Sequence, residues 1–283
     1  MNFGAMIFAT ESSIDPVELG KRLEDAGFES LFLPEHTHIP TSRESPFPGG
    51  GELPREYSCT YDPFLTLTAV SAATERLVLG TGVCLLNQRD PIVTAKQVAT
   101  LDHLCGGRFV FGVGAGWNAE EMRNHGTDPR LKWKTLRERV EAMKAIWSND
   151  EASYHGELVD FDPIWQWPKP LQRPHPPILL GSSTEAALPR VARYADGWMP
   201  SGLGGISDFS PYITRMNQLC EEVGRPPPPV SIYGAAADAD SVERNAAAGV
   251  ERMIFRLPSA PAEEIVPLLE RWRPLIQAFG DHS

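Results

Sequence analysis

The chain has 283 residues, a formal net charge of −11 and four cysteines. This length suits one large domain, and we treat residues 1–283 as a single domain that folds without a disulfide or a structural metal. The acidic charge argues against binding to nucleic acid or to an anionic membrane surface. Because the cysteines form no C-x-x-C pair and no apolar run could cross a bilayer, we expect free thiols and a cytoplasmic protein.

Strand-like and helix-like segments alternate along the whole chain. Short apolar runs predict eight strands, at residues 2–9, 30–33, 76–84, 108–113, 178–180, 196–200, 229–235 and 252–257. Helical periodicity and capping residues predict helices at 16–26, 61–74, 91–104, 133–147, 184–195, 211–223, 241–248 and 261–279, and a further helix that begins at the cap Asn118.

Two segments interrupt this alternation. Residues 37–60 are rich in Pro, Gly and Ser, and a loop this long inside a compact chain is typical of a lid or a binding loop. Residues 150–176 contain several Trp and Pro residues and predict a hairpin-like excursion followed by a proline-rich crossing.

Strict alternation at this length favours an α/β fold of the (β/α)8 TIM-barrel type over an open doubly wound sheet. A doubly wound dinucleotide site would place its glycines in the first strand-to-helix turn, and residues 9–12 there contain none. The later Gly112-x-Gly114 lacks the third glycine of that fingerprint, because Trp117 stands in its place.

In a barrel the chemistry is expected where the strands end. After the fourth strand, Gly114, Ala115, Gly116 and Trp117 lead into a helix that Asn118 can cap, with Glu121 placed to bond back to Asn118. After the fifth, Gly181, Ser182 and Ser183 precede Glu185 with the same capping spacing. Two adjacent helix N-termini would together suit one phosphate; alternatively, the glycines and hydroxyls serve only the turns and caps.

The second strand ends in Glu35-His36-Thr37-His38. Two histidines at this spacing permit a metal-dependent barrel hydrolase, which would need further ligands at later strand ends. The fifth and sixth ends carry Gly-Ser-Ser and Trp198 instead, so a metal site is not our prediction. We expect one of the two histidines to face the barrel mouth as a proton donor or hydrogen-bond partner; the alternative is a loop histidine without a function. Trp117 and Trp198 could form an aromatic wall there.

Several strand-end motifs, taken together, resemble the luciferase-like monooxygenase superfamily, and most closely its branch of probable coenzyme F420-dependent oxidoreductases. The motifs cover essentially the whole chain and comprise Leu33-Pro34-Glu35-His36-Thr37-His38-Ile39-Pro40, Leu79-Gly80-Thr81-Gly82-Val83, Leu101-Asp102-His103-Leu104-Cys105-Gly106-Gly107-Arg108, Gly112-Val113-Gly114-Ala115-Gly116-Trp117 with Glu120-Glu121, and Ala195-Asp196-Gly197-Trp198.

The resemblance implies a flavin-like ring across the barrel mouth. A bulge, often with a non-prolyl cis peptide, would support the ring at Gly82 and Val83, and the phosphate loops would be Gly114–Trp117 and Gly181–Ser183. His36 and Glu35 would be the catalytic pair, and His38 and Trp198 would border the substrate. Trp117 replaces the acidic residue of sugar-phosphate members, which favours a bulkier or more apolar substrate. Members of this family often form homodimers.

These observations lead to one main hypothesis and three alternatives. The main hypothesis is hydride transfer between F420 and a small organic substrate under the loop at 37–60, with His36 exchanging the accompanying proton. FMN in the same pocket would instead support monooxygenation. The remaining alternatives are a metal-dependent hydrolase that uses His36 and His38, and a barrel that binds a cofactor without catalysis.

Overall fold

A parallel barrel forms the centre of the molecule, and the computed structural model describes residues 1–204, 206 and 208–280. The strands of the described residues, in chain order, are β1 (Asn2–Met6), β2 (Ser30–Leu33), β3 (Val78–Thr81), β4 (Cys84–Leu85), β5 (Phe109–Gly114), β6 (Glu151–His155), β7 (Asp160–Trp165), β8 (Ile178–Gly181), β9 (Gly197–Met199), β10 (Ser231–Ala235) and β11 (Arg252–Arg256). Eight of them pair in the order β10-β11-β1-β2-β3-β5-β8-β9, and bridges from Trp198 to Val230 and from Ser201 to Tyr233 join the two ends. The predicted TIM-barrel fold is confirmed.

Helices cover the outside of this barrel. They are α1 (Pro16–Ala26), α2 (Glu56–Cys59), α3 (Pro63–Ser71), α4 (Pro91–Leu104), α5 (Ala119–Asn124), α6 (Lys132–Ser148), α7 (Leu188–Tyr194), α8 (Ser210–Glu222), α9 (Ala239–Ala247) and α10 (Ala262–Phe279). Three of them begin at an Asp-Pro pair, where the carboxylate of Asp15, Asp62 or Asp90 accepts hydrogen bonds from backbone amides of the first turn. The proline has no amide to leave unpaired, so this pair sets a sharp helix start.

Two layers of apolar side chains make the core. The larger layer lies between strands and helices. A smaller cluster, made of Met6, Phe8, Phe32, Val110, Leu179, Met199 and Ile254, is separate from it and is contacted by Val83 and Tyr233. Because alternate residues of a strand point to opposite faces, this second cluster fills the barrel interior.

Some predicted boundaries are wrong. β1 ends at Met6 rather than near Ala9, and the helix predicted at 184–195 begins as a 3-10 turn, with α7 starting only at Leu188. The capping pair of Ser182 and Glu185 does not form, since the Ser182 hydroxyl lies 3.2 Å from that of Thr184 instead. The third predicted strand is divided at Gly82–Val83, whose peptide bond is cis, as the resemblance implied.

Both predicted interruptions are present as distinct segments. The loop after β2 contains only the short helix α2, and the excursion before β8 contains the antiparallel hairpin β6–β7. Two cis proline bonds, Trp167–Pro168 and Arg173–Pro174, follow the hairpin. Among the described residues, none of the helices has the length and apolar character needed to cross a membrane.

Candidate active site

A cavity of about 560 Å³ opens where the barrel strands end. The residues that the sequence assigned to catalysis or cofactor binding all line it, namely Glu35, His36, Gly82, Val83, Gly114, Ala115, Gly116, Trp117, Gly181, Ser182 and Ser183. Met6, Phe8, Met199 and Tyr233 line it from the barrel interior. This mouth cavity has the size and the mixed apolar and polar lining of a cofactor site.

Two glycines of the mouth cavity make room for the side chain of Val83. A Cβ atom at Gly114 would lie 2.5 Å from Cγ2 of Val83, and one at Gly181 would lie 2.5 Å from its Cγ1. Gly116 differs, because its φ of +73° lies in the left-handed region while the space around it is ordinary. The two glycine turns therefore hold Val83 between them, next to the cavity.

His36 and Glu121 form a buried pair beside this cavity. Nδ1 of His36 lies 3.0 and 3.1 Å from the two carboxylate oxygens of Glu121, and the side chains are only 6% and 1% exposed. Both hydrogen bonds that join the His36 ring to other described residues use Nδ1, and neither uses the other ring nitrogen, Nε2. A carboxylate at Nδ1 favours the tautomer with the proton on that nitrogen, which leaves Nε2 to exchange a proton with a ligand.

Aromatic rings surround the imidazole. Its centroid lies 5.4 Å from the ring of Tyr57 and 5.9 Å from that of Trp117. Tyr57 and Trp117 also line the mouth cavity, and burial raises the pKa of the Tyr57 phenol, which remains a neutral hydroxyl at physiological pH. The imidazole of His36 is therefore buried in largely aromatic surroundings.

The carboxylate of Glu35 has a different set of partners from the one its catalytic assignment implied. It accepts hydrogen bonds from the backbone amide of Leu85, at 2.7 Å, and from Nε of Arg89, at 2.6 Å. Arg89 also pairs with Asp62 at 2.8 Å. Glu35 thus fixes the segment that follows the cis peptide, while Glu121 is the carboxylate in contact with His36.

At the two helix N-termini where the sequence predicts a phosphate site, some of the donors already bond within the protein. In α5, the amide of Ala119 already donates to Oγ of Ser45, at 3.0 Å, and that of Glu121 donates to Oδ1 of Asn118, at 3.1 Å. The predicted cap of Asn118 therefore forms, but the carboxylate of Glu121 does not bond back to Asn118. The Ser183 hydroxyl is similarly engaged, accepting from the amide of Ser201 at 2.7 Å.

Lys132 supplies the cation that the sequence analysis missed. Its ammonium group lies on the cavity wall, where it donates to the carbonyl of Gly116 at 3.2 Å. Ser182 and Thr184 line the same cavity and offer hydroxyl groups. An anion would thus be bound by one ammonium and by side-chain hydroxyls, against the negative charge of the whole chain.

The two predicted substrate-pocket residues, His38 and Trp198, do not line the mouth cavity. Nδ1 of His38 lies 3.0 Å from the hydroxyl of Thr37, and its Nε2 lies 2.9 Å from the side-chain nitrogen Nδ2 of Asn124. The ring of His38 lies 5.4 Å from that of His125. Trp198 is fully buried and donates from its indole to the carbonyl of Ser182 at 2.8 Å. Within the described residues, no group of three or more His, Cys, Asp or Glu side chains is arranged to bind a metal.

Comparison with known proteins identifies the family. The luciferase-like monooxygenase family matches residues 1–267. An uncharacterised protein of Mycobacterium tuberculosis is 38% identical over 276 residues, which cover 96% of this chain and 97% of that protein. An FMNH2-dependent dimethylsulfone monooxygenase of Pseudomonas putida is 38% identical over 138 residues, covering 47% of this chain and 38% of that enzyme.

A solved structure agrees in fold. An F420-dependent secondary alcohol dehydrogenase, in complex with an F420-acetone adduct, superposes with a TM-score of 0.76 at 17% identity and covers 99% of this chain and 100% of its own. Flavin-dependent and deazaflavin-dependent enzymes are thus both found among the proteins similar to this one. This chain belongs to the luciferase-like monooxygenase family.

Proposed function

We propose that this protein is an F420-dependent oxidoreductase that transfers a hydride between the deazaflavin and a small organic substrate in the mouth cavity. The buried pair of His36 and Glu121 is the observation that carries the proposal. When a hydride is added to the carbon of a carbonyl group, a proton is added to the oxygen. When a hydride is removed from the carbon of an alcohol, the hydroxyl group loses its proton. Nε2 of His36, which lines the cavity, would hold that proton.

The cavity fits a flavin-like ring in size and in polarity. The hydroxyl of Tyr233, a residue that lines the cavity, is buried and has no hydrogen-bond partner among the described residues. Burial raises the pKa of this phenol well above its usual value, so the group is a neutral donor. A heteroaromatic ring with nitrogen and oxygen acceptors would satisfy this otherwise unpaired donor.

Some residues of the cavity would bind the cofactor, and others would transfer the proton. Val83 would support the ring, while Lys132 and the hydroxyl of Ser182 would bind its phosphate. When bound, the deazaflavin supplies the two-electron hydride chemistry. His36 exchanges the proton at Nε2, and Glu121 keeps the imidazole in the tautomer and orientation that this exchange needs.

An FMN-dependent monooxygenase is the second candidate. It is favoured by the 38% identity to the dimethylsulfone monooxygenase over about half of the chain. The same cavity would accept either ring, and the strand-end resemblance of the whole chain to the F420 branch is the reason for preferring the deazaflavin.

Titration of the cofactor-free protein with F420 and with FMN tests the proposal. We expect F420 to bind with a dissociation constant of about 1–10 µM and FMN to bind at least about tenfold more weakly. Tyr233→Phe removes only the unpaired hydroxyl and is expected to weaken F420 binding by about 2–10-fold. Tyr212→Phe is the control, because Tyr212 packs on Trp198 outside the cavity.

Each other outcome has a definite meaning. Tighter binding of FMN than of F420 would replace the proposal with the monooxygenase. If neither cofactor binds below about 1 mM, a level too weak for a specific cofactor site, both candidates fail.

A further inference from the structure

A second cavity, of about 620 Å³, lies within the loop that follows β2. We call it the lid cavity. Its apolar lining includes Ile39, Phe47 and Leu53, and its charged lining comprises Arg43, Arg55 and Glu52. Glu52 and Arg55 are exposed, whereas Arg43 is partly buried. The two arginines also differ in whether they already have a partner.

Arg43 has no anionic partner in the described residues. Its Nη1 atom is buried and makes no hydrogen bond there, whereas Arg55 is paired with Glu11 at 3.0 Å. The guanidinium carbon of Arg43 lies 5.9 Å from the centre of the Trp117 ring, a cation–π distance. A buried guanidinium nitrogen without an acceptor is costly, so this position is suited to a ligand that supplies one.

The lid cavity and the mouth cavity are neighbours. The ring of Phe47 lines the lid cavity and lies 5.1 Å from that of Tyr57 and 6.2 Å from that of Trp117, both of which line the mouth cavity. Since the guanidinium of Arg43 and the imidazole of His36 each lie 5.9 Å from Trp117, they are at most about 12 Å apart. A molecule that contacts both groups would therefore have to span no more than this distance.

We propose that Arg43 binds the carboxylate of the substrate, and that the substrate is an organic acid with an apolar body. The planar guanidinium fits a carboxylate through two parallel hydrogen bonds, and Phe47 and Trp117 provide apolar surface for the body of the molecule. A single unpaired arginine, with Glu52 in the same cavity, matches one negative charge better than a doubly charged phosphate. This inference rests on the proposed function, since it names the substrate class of the same site.

Benzoate and hexanoate, each compared with its neutral amide, are the probes. Isothermal titration of the wild-type protein is expected to give a dissociation constant of about 1 mM for at least one of the two acids and binding at least about tenfold weaker for its amide. Arg43→Gln should weaken the binding of the acid by about 10–100-fold, the effect of losing a charge-assisted pair. Arg43→Lys, which keeps the charge but loses the planar fork, should fall between the two.

Arg55→Gln is the matched control, because Arg55 lies in the same cavity but is already paired with Glu11. It should change acid binding by no more than about twofold. The inference is overturned if neither acid binds below about 20 mM, if the amide binds equally well, or if Arg43→Gln binds the acid as the wild type does. A thermal midpoint equal to that of the wild type would show that the Arg43 variants are folded.

Cofactor titration separates this inference from the proposed function. A carboxylate carried by the cofactor could use the same guanidinium, and Arg43→Gln would then weaken F420 binding while leaving the binding of benzoate and hexanoate unchanged. That result would overturn the assignment to the substrate. If instead Arg43-dependent acid binding is found but neither F420 nor FMN binds, the proposed function fails and the acid site stands.

Discussion

The contact between Val83 and the two glycine turns makes a quantitative prediction. Gly114→Ala or Gly181→Ala would place a new methyl group 2.5 Å from a methyl carbon of Val83. Ordinary carbon–carbon contact begins at about 3.5 Å, so Val83 would have to move by roughly 1 Å. The φ angle of neither glycine lies in the left-handed region, so the backbone itself accepts alanine and the clash with Val83 is the whole effect.

The expected size follows from overpacking. Each single substitution should cost about 1–3 kcal/mol, which lowers the thermal midpoint by about 2–12 °C for a chain of this size. Val83→Ala removes both offending methyl groups and by itself should cost about 1.5 kcal/mol. In the double variant Gly114→Ala with Val83→Ala the clash is absent, so we expect a favourable coupling of about 1–3 kcal/mol.

Thermal unfolding, monitored by tryptophan fluorescence on the four proteins of the cycle, measures this coupling. Gly116→Ala is the control, because its cost comes from a φ of +73° and the added Cβ would meet only ordinary contacts. Adding Val83→Ala to Gly116→Ala should therefore not restore the lost stability. Additive effects of Gly114→Ala and Val83→Ala, with a coupling below about 0.5 kcal/mol, would refute the role assigned to these glycines.

Three further predictions concern the residues around α5. Glu121→Gln should leave the binding of F420 within about twofold of the wild type. Heteronuclear NMR of labelled histidine should, however, show that His36 is no longer fixed as the Nδ1-protonated tautomer. An unchanged tautomer would exclude a positioning role for Glu121. Although burial raises the pKa of Glu120, hydrogen bonds from the hydroxyl and amide of Ser45 outweigh it and hold that pKa at about 2. Because this pKa is lowered from 4.5, the stabilisation of the loop by Glu120 is complete above pH 4.5 and is lost as the pH falls through about 2. Limited proteolysis within the loop should therefore be slow at pH 5 and faster in Glu120→Gln at the same pH, and equal rates would contradict this anchoring. His38→Gln should change the affinity for F420 by no more than about twofold, and a tenfold loss would place His38 in the cofactor site after all.

The barrel could be predicted because its signals are local. Apolar runs of four to eight residues, Asp-Pro helix starts and left-handed glycines such as Gly27 act within one turn or strand, and each agrees with the alternation of the whole chain. The errors lie at element ends. Residues 7–9 are as apolar as a strand, but they extend beyond the pairing with β2 and β11, which ends at Met6.

The errors in the site have two physical causes. Trp198 was placed on the cavity side, although Met199 lines the cavity and adjacent residues of a strand point to opposite faces. The register of a three-residue strand is not marked in the sequence, so this side could not be chosen. The pairing of His36 with Glu121 spans 85 positions, and the capping-box spacing gave Glu121 a local partner that explained it equally well.

The first turn of α5 connects the loop that follows β2 to the pair of His36 and Glu121. Glu120 holds Ser45 of the loop, and the adjacent Glu121 holds His36. The amide of Ala119 donates to the same serine, so one serine fixes both the start of the helix and the loop. A movement that takes Ser45 away would leave an amide and a buried carboxylate unpaired beside Glu121, which is costly. Because Glu120 and Glu121 are neighbours in one helical turn, the contacts that hold the loop also hold the carboxylate that contacts His36. A ligand that binds beneath the loop would then meet an imidazole that is already oriented, which lowers the entropic cost of binding.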